Sequence, residues 1–327
     1  MIKRIITKTI DRITERVVVH ASHLAYNRVH SASSRYIPNY SYDPLLRRQT
    51  HQLAAADKGT QILLSLQYQE LVHRELPLPR FGDVEFRCFS QNGEDGILHY
   101  IFSLIGTTNK KSVEVCAGNG IECNTANLII NHGWVGLLFD GSEGNITTGK
   151  EFYSKCQETY FYPPTLVHAW ITAENINQLI SSNGVDGEVD LLSLDMDGVD
   201  YWIWKAIDCI DPRVVVLEYQ RLWGPDRSVT VPYSPDFRYD SSDSIAGNYH
   251  SASLSAFVKL GRKKGYRLVG CQRFGLNAFF MRSDVGSNMF PEVPASKCFE
   301  IPLLKSTEFQ RAQEWFSHAM NREWIEV

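Results

Sequence analysis

The run Val113-Glu114-Val115-Cys116-Ala117-Gly118-Asn119-Gly120, followed at twenty residues' distance by Leu137-Leu138-Phe139-Asp140, constrains this chain most. The first run reads as a buried strand stopping at a glycine-rich turn, and the second as the next strand, ending on a carboxylate. Doubly wound α/β proteins hold a nucleoside this way: turn glycines let backbone approach the ligand, and the acid accepts from ribose hydroxyls. The spacing is E-x-x-x-G-x-G, with Cys116 standing where a first glycine would sit in E-x-G-x-G-x-G. The competing reading is an ordinary turn with an aspartate at a strand end.

From Val84 onward, strand and helix signals alternate, the pattern of a parallel sheet with crossover helices. Strands are expected at Ser112–Cys116, Gly136–Asp140, Leu166–Trp170, Asp190–Asp195 and Val214–Glu218. Helices are expected at Gly93–Leu104, Asn124–Asn131, Ala173–Ser181, Tyr201–Ile207 and Ser251–Lys264. Tyr266–Gly270 and Asn277–Met281 flank a short polar segment and read as an antiparallel hairpin. The expected fold is α/β, a doubly wound Rossmann-like sheet with an antiparallel C-terminal hairpin. An N-terminal helical extension and linker, residues 1–80, precedes the main domain, residues 81–327.

Residues 1–30 carry Lys3, Arg4, Lys8, Arg12, Arg16 and Arg28 against Asp11 and Glu15, with isoleucines at helical spacing. This reads as a basic amphipathic helix, either packed on its own domain or making peripheral contact with a membrane surface. A second helix is expected from Gln61 to Leu76. The net charge of −4 gives no global argument for nucleic acid as a partner. Seven scattered cysteines, with no C-x-x-C pair, argue against a disulfide framework and for a reducing compartment. Cytoplasm is the expected location, including the inner membrane surface if residues 1–30 dock there.

Several further motifs give the chain its resemblance: Ser90-Gln91-Asn92-Gly93-Glu94-Asp95-Gly96 before the first strand, the Glu114–Gly120 turn, Asn124-Thr125, Trp134 to Gly141, Leu192-Ser193-Leu194-Asp195-Met196-Asp197-Gly198, and Val215 to Tyr219. In their order and spacing they resemble class I S-adenosylmethionine-dependent methyltransferases, most closely the FkbM-like branch found among glycan and secondary-metabolite gene products. The resemblance spans roughly Phe89 to Met281. Cys116 and Asp197 depart from it, standing where relatives carry glycine and often glutamate.

The resemblance implies transfer of a methyl group from S-adenosylmethionine to an oxygen, on a small-molecule or glycan-linked acceptor of polysaccharide biosynthesis. It places Gln91, Glu94, Glu114, Gly118, Gly120, Asn124, Asp140 and Asp195 around the cofactor. Gln91 would serve its carboxylate, Glu94 its ammonium, and Asp140 both ribose hydroxyls. Trp170 either flanks the adenine or packs in the core.

The densest acidic cluster is Asp195, Asp197 and Asp200, joined by Glu218 at the next strand's end. Carboxylates held together repel, so one must protonate, pair or bind a cation. Two chemistries follow. One of Asp195, Asp197, Glu218 or the nearby His250 acts as general base on the acceptor hydroxyl. Alternatively, Asp197, Asp200 and Glu218 hold Mg²⁺ that acidifies it. The same D-x-D-G-V segment also fits haloacid-dehalogenase-like phosphatases, with Asp195 as nucleophile and Asp197 as acid/base. A non-catalytic nucleoside-binding relative would share the turn and its acid. So would an NAD dehydrogenase, although the second half of the chain does not restart as another Rossmann unit. The long aromatic-rich segment Arg221–Asn248 suits a lid over a sugar.

Overall fold

The computed structural model describes residues 56–239, 249–300 and 317–327. Residues 1–55 of the N-terminal extension, the basic segment 1–30 included, and the last part of the segment 221–248 lie outside the described residues. Uninterrupted apolar runs such as Val214-Val215-Val216-Leu217 build strands buried on both faces, as parallel sheets require. Five strands run parallel: β1 (Lys111–Val115), β2 (Val135–Asp140), β3 (Thr165–His168), β4 (Gly187–Leu194) and β5 (Ile210–Glu218). β6 (Val229–Thr230) pairs with β9 (Ile325–Glu326) in a small ribbon outside the main sheet. β7 (Tyr266–Cys271) and β8 (Asn277–Arg282) form the antiparallel hairpin.

The main sheet has seven strands in the order β3-β2-β1-β4-β5-β8-β7. It is Rossmann-like, mostly parallel, with the hairpin added antiparallel at the β5 edge. From β1 the chain winds one way through β2 to β3, then returns to β4 and winds the other way. That reversal opens a crevice at the carboxyl ends of β1 and β4, the place where open α/β sheets bind ligands.

Alternate strand residues feed two cores. Val113, Leu137, Phe139, Leu192, Leu194, Val215 and Leu217 share one core with helices α6 (Ile176–Ser182), α7 (Asp200–Ala206) and α8 (Leu254–Lys263). Leu138, Leu191, Val214 and Val216 share the other with α3 (Glu94–Ile105), α4 (Ala126–His132) and α5 (Glu143–Lys155). The described part of the N-terminal extension includes α1 (Lys58–His73), and the one-turn α2 (Phe81–Val84) follows it. α1 is fastened to the core: buried Gln61 exchanges hydrogen bonds with Asn127 and its Oε1 lies 2.7 Å from His132 Nε2. Ser65 Oγ lies 3.0 Å from His99 Nε2. Among the described residues no helix is long and apolar enough to cross a membrane.

The amino edge of the sheet is stapled by a buried ion pair. Asp190 on β4 accepts from the backbone N–H of Thr108, Asn109 and Lys110, and from Arg213 Nη1 at 2.7 Å. Arg213 also donates to the carbonyls of Ile105 and Gly106, so strand entry and the end of α3 share one polar knot.

Candidate active site

Three strand ends meet at the crevice. After β1 the chain turns through Cys116, at φ 60°, and through Gly118 and Gly120, at φ 59° and 70°. Cys116 therefore holds a left-handed conformation that glycine adopts freely, at a cost of roughly 1–2 kcal/mol for an L-residue. We expect Cys116→Gly to raise stability by about 0.5–1 kcal/mol, net of the extra unfolded-state entropy of glycine, as read by urea denaturation. A loss instead would show that thiol packing outweighs the backbone strain.

The turn is held by Asp140 at the end of β2, whose Oδ2 accepts from Gly118 N at 2.9 Å. Asp140 Oδ1 accepts from Ser142 N and Asn145 Nδ2 at 2.8 and 3.0 Å. A carboxylate offers about four acceptor positions, so one remains for a ligand hydroxyl beyond these three donors. Gly120 faces the core instead: a Cβ there would come within 2.9 Å of Leu138 Cδ1. Its glycine is explained by packing as much as by ligand approach.

Below the turn lies a cavity of about 130 Å³, lined by Gln91, Glu94, Glu114, Cys116, Ala117, Gly118, Glu122, Cys123, Asn124, Asp195 and Asn277. Six of the expected cofactor residues thus converge: Gln91, Glu94, Glu114, Gly118, Asn124 and Asp195. Their carboxylates are held in fixed positions. Glu94 Oε2 accepts from Asn92 N and Gly93 N, while its Oε1 accepts from Asn277 Nδ2 at 3.0 Å. Glu114 accepts from Asn124 N, Thr125 N, Thr125 Oγ1 and Ser193 Oγ, tying β1 to the start of α4 and to β4. Asn124 in turn donates to Ser193 Oγ at 3.0 Å.

Asn277 is a residue that sequence reasoning missed. Its Oδ1 is buried without a hydrogen-bond partner. Its position was readable only from the sheet, since β8 places Asn277 directly opposite Glu218 on β5. The lining carries four carboxylates and no lysine, arginine or histidine, so it is complementary to a cation and hostile to phosphate.

A second group adjoins the cavity at Asp195. Asp195 hydrogen-bonds Glu218, and burial together with Asp197 and Asp200 pushes Asp195 up to about 7. Burial first, then Asp195, drives Glu218 well above the usual carboxylate range, as two buried carboxyls in contact repel each other's charge. Asp197 sits at φ 50° with a half-exposed side chain. Its Oδ1 lies 3.8 Å from Nδ1 of the mostly buried His250. Burial, reinforced by the Arg221 charge and opposed by Asp197, lowers His250 below its ordinary value.

Asp197, Glu218 and His250 bring ligand-type atoms within 4.8 Å of one another. Asp200 does not join them. Its Oδ1 accepts from Met196 N and its Oδ2 from Gly198 N, closing the turn at the start of α7. Of the three carboxylates expected to be able to hold a metal, Asp197 and Glu218 lie grouped with His250, and Asp200 is not in that group. The D-x-D-G-x-D spacing signals a capped turn as readily as a ligand set.

Aromatic side chains stand beside Gly141, just after β2, and beside His250. Trp170 is 44% exposed and so is no core residue. Its Nε1 donates to Pro235 O, and Arg238 lies 4.4 Å over its ring. Tyr239 stands edge-on to His250 with ring centroids 5.5 Å apart. The described part of the segment after Arg221 is tied to the domain by Trp202 Nε1 donating to Val231 O and by Tyr233 Oη donating to Glu174.

No family model and no curated protein matches the chain. Solved structures that it resembles include an S-adenosylmethionine-dependent methyltransferase from Clostridium acetobutylicum, at 10% identity, covering 67% of this chain and 97% of that one with a TM-score of 0.36. A glycopeptide N-methyltransferase complexed with sinefungin is 9% identical over 57% of this chain and 85% of that one, TM-score 0.37. Mitomycin 7-O-methyltransferase is 13% identical over 58% of this chain and 53% of that one, TM-score 0.35. At such identities and scores the likeness carries no argument about activity. What separates the candidate chemistries is the lining of the site.

Proposed function

We propose that the chain is an S-adenosylmethionine-dependent methyltransferase acting on an oxygen acceptor, a hydroxyl of a sugar or glycan precursor. The observation that carries this reading is the acidic cavity at the β1–β4 crevice. A cofactor bearing both an ammonium and a sulfonium suits a wall of Glu94, Glu122, Asp195 and the unpartnered Asn277 carbonyl. A dinucleotide pyrophosphate or a phosphate ester would meet four carboxylates and no cationic side chain there. That favours methyl transfer over both the dehydrogenase and the phosphatase readings. Asp195 points the same way, since its carboxyl is engaged by Glu218 rather than exposed as a nucleophile.

When bound, S-adenosylmethionine would supply an electrophilic methyl group on its sulfonium sulfur, with a neutral thioether as the leaving group. The protein's part is to orient and to handle the proton. Gln91, Glu94, Asn124 and Asn277 fix the amino-acid end, and Asp140 takes a ribose hydroxyl. The acceptor O–H gives up its proton at the Asp197–Glu218–His250 cluster while the new O–CH₃ bond forms. Hydroxyls are poor nucleophiles until that proton is leaving, so proton-accepting groups beside the cavity favour oxygen over a neutral amine. Exposed Tyr239, edge-on to His250, supplies a flat amphipathic face suited to a sugar ring.

Calorimetry with S-adenosylhomocysteine tests the reading. Wild-type protein should bind it, and Asp140→Ala should weaken binding about 10- to 100-fold, or about 1.4–2.7 kcal/mol. Thermal melts of the variant would separate that loss from collapse of the turn. Absence of binding by either S-adenosylmethionine or its product at millimolar concentration sinks the proposal.

A further inference from the structure

We infer that Asp197, Glu218 and His250 form a binding site for a divalent first-row transition-metal cation of the Mn²⁺ or Zn²⁺ class. The inference rests on the methyltransferase reading only for what the metal would do, not for its binding. Three observations carry it.

The first is convergence. One ligand atom from each residue lies within 4.8 Å of the others, and Asp197 Oδ1 stands 3.8 Å from His250 Nδ1. Around a cation with bonds of about 2.1 Å, ligand atoms sit about 3.0 Å apart when adjacent and about 4.2 Å apart when opposite. The observed spacing therefore closes onto an ion by side-chain shifts on the order of 1 Å.

The second is that two donor atoms are left over. Glu218 Oε2 and His250 Nδ1 are both buried without a hydrogen-bond partner. Buried polar groups are almost always paired, so two orphans in one cluster point to something that fills the gap between them. The other ring nitrogen of His250 is 3.4 Å from the Gln220 amide. Gln220 Oε1 accepts from Leu222 N, which holds that amide in place, so the imidazole is braced on its far side while Nδ1 faces Asp197.

The third is the donor set. Mg²⁺ and Ca²⁺ take oxygen ligands, whereas imidazole suits Zn²⁺, Fe²⁺ and Ni²⁺, and Mn²⁺, an oxygen-preferring ion, fits the two carboxylates of this mixed set. Because the structure puts His250 in the cluster and keeps Asp200 in its turn, the metal it selects differs from the Mg²⁺ expected for three carboxylates. Asp197 is half exposed, so coordination positions remain open on the solvent side for an acceptor oxygen. Bound there, a hydroxyl would be acidified by the cation and its proton would leave to water, so with a metal in place the three side chains would act through the ion rather than as the base themselves.

Titration of the purified full-length chain with Mn²⁺, followed by the loss of the free-ion electron paramagnetic resonance signal, tests this without any cofactor. One site per chain is expected, weakened 10-fold or more by His250→Asn and by Glu218→Gln, with Mg²⁺ competing only in large excess. Circular dichroism confirms that each variant is folded. Should His250→Asn misfold, the comparison of Mn²⁺ with Mg²⁺ on the wild type still decides. Wild-type protein that binds neither Mn²⁺ nor Zn²⁺ at millimolar concentration overturns the inference, as do folded variants that bind as tightly as wild type. Mn²⁺ binding without S-adenosylhomocysteine binding would support the metal site while sinking the methyltransferase reading. The reverse result would sink only the metal site.

Discussion

Asp190→Ala is expected to destabilise the protein by about 3–5 kcal/mol, the loss typical when one partner is removed from a buried ion pair. The side chain of Asp190 is fully buried and that of Arg213 nearly so, at 2.7 Å separation. Three backbone N–H groups from residues 108–110 lose their acceptor at the same time. Arg213 would keep its two carbonyl partners but stand in the sheet edge without a counter-charge. For a domain of this size the melting temperature should fall roughly 2–4 °C per kcal/mol.

The pH dependence has a definite sign. Burial alone would raise Asp190, but the Arg213 hydrogen bond and the backbone donors outweigh it and hold the carboxyl below 3.8. A carboxyl depressed in the folded state contributes stability above its unfolded value and loses it as pH falls through the folded one. Wild-type protein should therefore shed this contribution only below pH 3.8, and the gap between wild type and Asp190→Ala should narrow there. Urea denaturation at neutral pH and again in acid below that value measures both. A cost below about 1 kcal/mol at neutral pH, the range of an exposed pair, would mean that water replaces Asp190 at the loop.

The strands were legible because their burial is written as apolar runs, and the acids at their ends stand out against those runs. The helix α5 was not. Its sequence holds Gly144, Thr147, Thr148 and Gly149, which are poor helix formers. Tertiary packing overrides that weakness: Ile146 and Tyr153 are buried, Ser142 caps the first turn, and a Cβ at Gly149 would strike Asn119 O at 2.4 Å. The two-residue pairing of β6 with β9 joins segments too far apart for any local pattern to announce.

Site residues divide the same way. Asp140, Asp195 and Glu218 were visible as acids at strand ends, and Glu114 as the acid that opens the glycine-turn spacing. Asn277 was invisible because its importance comes from the β5–β8 register, and Asp200 misled because a carboxylate three residues into a turn can cap that turn. The partners that individual carboxylates choose are set in three dimensions, not by spacing.

Chemistry at the acidic cluster gives the second large expected effect. Conservative changes at Asp197, Glu218 or His250 should lower turnover by roughly 10²–10⁴-fold, the usual range for losing proton transfer in the transition state. S-adenosylhomocysteine affinity should stay nearly unchanged, because none of the three lines the cavity below the turn. The loss should fall on kcat rather than on KM for the cofactor, as expected for an interaction made only as the acceptor proton departs. Asp197→Asn is the cleanest member, since its half-exposed carboxylate can change without leaving a buried group unpaired. Glu218→Gln is the sharper probe of whether Glu218 must ionise: it keeps the shape and bars ionisation, so a large loss of turnover would show that the buried carboxyl passes through its charged form. Similar losses at all three positions are expected if they act as one unit. Full methyl transfer by folded Asp197→Asn and His250→Asn would move proton removal elsewhere. Phosphate release from a simple ester that depends on Asp195, in protein that binds no S-adenosylhomocysteine, would replace the methyltransferase reading with the phosphatase one.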